Sequence, residues 1–111
     1  MSSEFSYTSK LENNILIITT QGYINNVGGE KIEKEFKKHY DNGVTNVLVD
    51  MEKSNVINSI GISYFIEIIE KLNDKNGKLY FTNLDSAIDK TFSIMGLFQY
   101  AVKVNSVDEI K

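Results

Sequence analysis

Residues 44–51, VTNVLVDM, place Val47, Leu48 and Val49 in direct succession. Successive side chains of an extended chain point to opposite faces of a sheet, so three consecutive apolar residues need cover on both. Such a strand belongs inside a sheet with parallel neighbours, and Asp50 marks its carboxyl end. Beyond this strand the apolar period changes. From Ser59 onward, Ile62, Phe65, Ile66, Ile69 and Leu72 fall on one stripe, while Glu67, Glu70 and Lys71 fall on the opposite side. That is an amphipathic helix, stopped by NDKNG at 73–77.

The remaining elements read in the same way. Residues 5–10 and ILIITTQGYI at 15–24 are β-branched and aromatic, with ENN between them, and predict an opening hairpin. VGGEKIEKEFKKHY at 27–40 has Val27, Ile32, Phe36 and Tyr40 at helical spacing, with Glu30/Lys34 and Glu33/Lys37 in the favourable order. Its two glycines read as flexibility at the helix entry, and DNG at 41–43 closes it. KLYFTNL at 78–84 predicts a strand, and residues 85–96 a helix with Asp85 as N-cap and Gly96 as stop. YAVKV at 100–104 predicts the last strand, and SVDEIK a short terminal helix capped by Ser106. The order predicts an α/β fold: a small, four- to five-stranded mixed sheet with helices mainly on one side. The 111 residues, 41% of them apolar, make one domain spanning 1–111.

Composition narrows the chemistry. A net charge of −3 without basic clusters argues against direct nucleic-acid binding. The chain has no cysteine, hence no disulfide or thiolate metal site, and no arginine, hence no arginine finger or bidentate phosphate clamp. Neither a signal peptide nor an apolar run of membrane-spanning length is present, so a cytoplasmic protein without membrane attachment is expected. No cofactor or metal site is expected either.

The changeover from strand to helix, VINSIGIS at 56–63, puts Ser59 where an open sheet gathers functional groups, at the carboxyl ends of its strands. Ser59 can cap the helix, be chemically modified, or both. Gly61 either avoids crowding or lets a partner approach closely. Val56, Ile57 and Ile60 are apolar neighbours, of which Ile60 is the best candidate for exposure.

These residues resemble the anti-sigma factor antagonist family, whose module is the STAS domain. Its signature is a strand ending in Asp and then Asp-Ser-(Ser/Thr)-Gly-(Leu/Ile) opening a helix. Here Asp50 ends the strand and NSIGI opens the helix, with Ser59 nine residues after Asp50. Gly22 in TQGYI and the closing MGLFQYAVKVNSVDEI resemble further family segments, so the likeness covers essentially the whole chain. It departs from the pattern at Asn58 and Ile60, and at Asn25, where an acidic residue is common.

The resemblance implies a regulator that is not an enzyme. Unphosphorylated, it binds an anti-sigma factor serine kinase and releases sigma; phosphorylation of Ser59 switches it off, and a serine phosphatase resets it. The partner-binding surface would comprise Gly22, Asn25, Val56, Ile57, Asn58, Ile60, Gly61 and Ile62. The alternative is a phosphorylation-independent STAS subunit of a stressosome-like or lipid-transport assembly. A small α/β enzyme is a third reading. His39 sits beside Lys38 and Tyr40 on a helix, Asp50 has no paired carboxylate, and NNVGGEK lacks both phosphate-loop patterns.

Overall fold

The computed structural model describes residues 4–110. Its sheet has five strands, β1 (Ser6–Glu12), β2 (Ile15–Gln21), β3 (Asn46–Lys53), β4 (Lys78–Thr82) and β5 (Ala101–Lys103), in the order β1-β2-β3-β4-β5. β1 is antiparallel to β2, and every other pairing is parallel. β3 is therefore central, as its apolar run requires. Val47 and Val49 are completely buried on one face, and Leu48 is buried on the other.

The face holding Val47 and Val49 is covered by α1 (Asn26–Tyr40), α2 (Ser59–Asn73) and α3 (Ser86–Met95). Ile32 and Phe36 come from α1, Phe65, Ile68 and Leu72 from α2, and Ile88 and Phe92 from α3. Phe81 of β4 joins α2 to α3, its ring centroid 5.2 Å from both Phe65 and Phe92. On the other face, Ile15, Ile17 and Leu48 are covered by Ile110 near the end of the chain. The Asn13–Asn14 turn has φ of 54° and 65°. Both residues are left-handed, a conformation asparagine tolerates and a tight hairpin needs.

Three expectations are corrected. The terminal helix is only a 3-10 turn, Val107–Glu109, and Ser106 makes no side-chain capping bond. The two glycines of α1 lie inside its first turn and are buried, so they are packing residues and not a flexible entry. A Cβ on Gly29 would stand 2.3 Å from the Tyr64 ring, so the bare backbone is what lets α1 approach α2 this closely. Finally, Val27 does not belong to the buried stripe of α1; it is half exposed.

A charged cluster ties β1 to α1. Glu35 is buried, and its carboxylate accepts from Tyr7 Oη at 3.0 Å and Ser9 Oγ at 2.6 Å. Lys38 Nζ lies 3.0 Å and His39 Nε2 3.1 Å from the same group. Burial alone would raise this carboxyl, but the bonds from Ser9, Lys38, His39 and Tyr7 outweigh it and lower the pKa from 4.5 to about 2. A depressed carboxylate contributes stability above its unfolded pKa and loses it as pH falls toward the folded one. Glu35→Gln should therefore destabilise the protein by on the order of 2 kcal/mol at pH 7. In urea unfolding, that gap from wild type should stay constant down to about pH 4.5 and close as pH approaches 2. A gap independent of pH would contradict the ionic role.

Candidate functional site

The pairing of β2 with β3 does not stop where the strands end. The Gly22 N–H donates to the Lys53 carbonyl at 2.9 Å, with Gly22 in the left-handed region at φ 95°. The Ile24 N–H donates to the Val56 carbonyl at 3.0 Å, and the Asn58 N–H donates to the Ile24 carbonyl at 3.1 Å. An isolated parallel bridge joins Ile24 to Ile57. The connections leading into α1 and α2 thus run side by side, and the two helices begin next to each other.

Each start is capped by an asparagine. Asn25 Oδ1 accepts from the amides of Val27 and Gly28, both at 3.1 Å. Asn58 Oδ1 accepts from the Gly61 amide at 2.8 Å. The cap of α2 is therefore Asn58 and not Ser59: Asn58 has the extended backbone (φ −100°, ψ 177°) from which a side chain can reach the third amide. Ser59 is the first helical residue, and its hydroxyl has no protein partner among the described residues. The other serines nearby are committed. Ser54 is completely buried and accepts from Thr20 Oγ1 at 2.8 Å, while Ser63 Oγ donates to the Ile60 carbonyl at 2.6 Å.

The predicted partner-binding residues divide into a surface and its support. Ser59 is exposed, as are Val56 and Ile60, each with half its surface open. Gly22, Asn25, Ile57 and Asn58 are partly buried around them. Gly61 and Ile62 are buried and present nothing to a partner. A Cβ on Gly61 would lie 2.4 Å from the Ile24 carbonyl oxygen, so this glycine lets α2 start directly under the neighbouring connection. Val27, in the first turn of α1, is also exposed, beside Phe5, Tyr23 and Asn25, although sequence spacing assigned it to the core.

The surroundings carry little charge. Residues 13–29 and 54–66 contain no Asp, Glu, Lys, Arg or His, and neither helix has an acidic residue in its first turn. Asp50 is held by the Glu52 amide and by Asn83 Nδ2, each at 3.1 Å. His39 belongs to the Glu35 cluster at the far end of α1. No group of three or more His, Asp or Glu able to hold a metal ion occurs among the described residues.

The STAS domain family model matches residues 7–110, and the chain belongs to that family. A Bordetella bronchiseptica protein named as an anti-sigma factor antagonist, BtrV, is 26% identical over 92 residues, covering 83% of this chain and 79% of that protein. Solved structures share the fold at lower identity. The Thermotoga maritima anti-sigma factor antagonist tm1081 has a TM-score of 0.84 at 12% identity, over 93% of this chain and 89% of that one. The Bacillus protein SpoIIAA in its phosphorylated form has a TM-score of 0.76 at 16% identity, over 95% and 96%. No helix among the described residues is long and apolar enough to cross a membrane.

Gly61→Ala should cost about 3 kcal/mol or more in urea unfolding, because backbone must move to admit the methyl group. Gly43, at φ 96° with open space around its Cβ position, provides the comparison. Gly43→Ala should cost only about 1 kcal/mol of backbone strain. Equal losses at the two positions would show that the contact with Ile24 is not what fixes Gly61.

Proposed function

We infer that the chain is a partner-switching anti-sigma factor antagonist, a single non-enzymatic STAS module acting in the cytoplasm. Unphosphorylated, it binds an anti-sigma factor serine kinase through the surface around Ser59; phosphorylation of Ser59 ends that binding, and a serine phosphatase restores it. The observation that carries this reading is the free, exposed hydroxyl of Ser59 at the start of α2, between two serines whose hydroxyls are committed.

The physics of the surface supports a switch. Val56 and Ile60, on either side of Ser59, offer apolar area of the kind that forms the centre of an interface. A phosphate adds about −1.5 to −2 charges, which helix N-termini accommodate because their first amides and dipole ends favour anions. Two such ends lie together here, both with neutral caps. The folded chain can therefore carry the phosphate, whereas a partner seated on uncharged apolar surface would have to desolvate it.

Incubation with the cognate kinase and ATP, followed by mass-spectrometric mapping, should place the phosphate on Ser59. Phosphate on Ser54 or Ser63 would sink the assignment, and no modification at all would favour the phosphorylation-independent subunit. Val56→Ala and Ile60→Ala should each weaken binding of the unphosphorylated chain to the kinase about tenfold. Unchanged affinity in both would put the interface elsewhere.

A further inference from the structure

The sequence holds two Asn-Gly pairs, Asn42–Gly43 and Asn76–Gly77, and they follow the C-terminal ends of α1 and α2 respectively. Such a pair carries its own chemistry. Glycine has no Cβ to crowd its backbone nitrogen, so that nitrogen can reach the side-chain carbonyl carbon of the asparagine before it. The reaction needs only water, and the surrounding structure decides whether the two atoms can meet.

The two turns differ in what must open first. Asn42 and Gly43 are both exposed, and a Cβ on Gly43 would meet nothing within 4 Å. Two bonds hold the reacting groups: the Gly43 N–H donates to the Tyr40 carbonyl at 3.0 Å, and Asn42 Nδ2 donates to the Lys38 carbonyl at 3.1 Å. Both lie at a solvent-facing helix end, where the last turn frays without disturbing the core. Asn76 is exposed too, but Gly77 is buried against the Thr45 backbone. The Gly77 N–H donates to the Leu72 carbonyl at 2.7 Å, and the next amide, of Lys78, donates to the Thr45 carbonyl at 2.9 Å. Freeing the Gly77 nitrogen therefore means pulling the start of β4 away from its neighbour.

We propose that Asn42 is a self-modifying site that converts in the folded chain while Asn76 is protected. The Gly43 nitrogen gives up its proton and attacks Asn42 Cγ; the new C–N bond closes a succinimide, and the side-chain nitrogen leaves with that proton as ammonia. Water then opens the ring at either carbonyl, leaving aspartate, or isoaspartate with one more methylene in the backbone. Both products lose the bond to Lys38 and set a negative charge at the negative end of the α1 dipole. This turn leads through the buried Val44 into the central strand β3, so each product should melt below the unmodified chain.

The test incubates the full chain in mildly alkaline buffer, folded and in urea, and follows both Asn-Gly peptides by mass spectrometry. In urea, where neither pair is held, the two should convert at similar rates. In the folded chain Asn42 should convert about tenfold or more faster than Asn76. Asn42→Gln, whose longer side chain has to close a larger ring, should remove the early mass change and stop the loss of Tm on storage. Equal rates in the folded chain, a faster Asn76, or no conversion at Asn42 over a time in which the urea sample converts would each overturn the proposal.

Discussion

Hydrogen bonds that continue the β2–β3 pairing past the ends of both strands hold the site together. Ile24 is the hinge of that arrangement: its amide donates to Val56, its carbonyl accepts from Asn58, and its side chain is completely buried. The same carbonyl lies directly over Gly61, so any side chain there would force the two connections apart. Because the connections are held in register, α1 and α2 begin side by side, each behind an asparagine cap. The exposed residues depend on the buried ones beneath them.

This support matters because the surface has little else to organise it. No charge lies in residues 13–29 or 54–66, so what the exposed residues around Ser59 offer is shape, apolar area and free amides. In such surroundings one added phosphate is a large change, whereas on a surface already crowded with ions it would be screened and partly compensated. Asn58 contributes to this neutrality. It caps α2 through its carbonyl oxygen, as an aspartate could, but places no negative charge beside Ser59.

The parts of the fold legible in the sequence were those decided by neighbours along the chain. The apolar run at 47–49 required a central strand, the stripe from Ile62 to Leu72 required α2, and Asp85 and Gly96 bound α3 as their cap chemistry implies. The illegible parts depend on residues distant in sequence. Ser59 and Asn58 are both good caps by composition, and only the backbone angles assign the role to Asn58. Val27 stands five residues before Ile32 and nine before Phe36, about 140° and 180° around the helix from them, so it falls off the stripe they bury. Gly61 gave two readings until Ile24 was seen above it. The Glu35 cluster had no signal at all, since Tyr7 and Ser9 join it only when β1 lies along α1.

A switch at Ser59 requires that charge act on binding and not on folding. The direct measurement is partner affinity by calorimetry, together with Tm, for the unmodified chain, the chain phosphorylated on Ser59, and Ser59→Glu. Charge at the first turn of a helix is neutral or favourable to the fold, while charge against a desolvating interface costs on the order of 2 kcal/mol. The three forms should therefore melt together, and the two charged forms should bind the anti-sigma factor about 30-fold or more weakly. Equal affinity across all three would contradict the switch, and a collapsed Tm in the charged forms would contradict the placement of Ser59 at an open helix start.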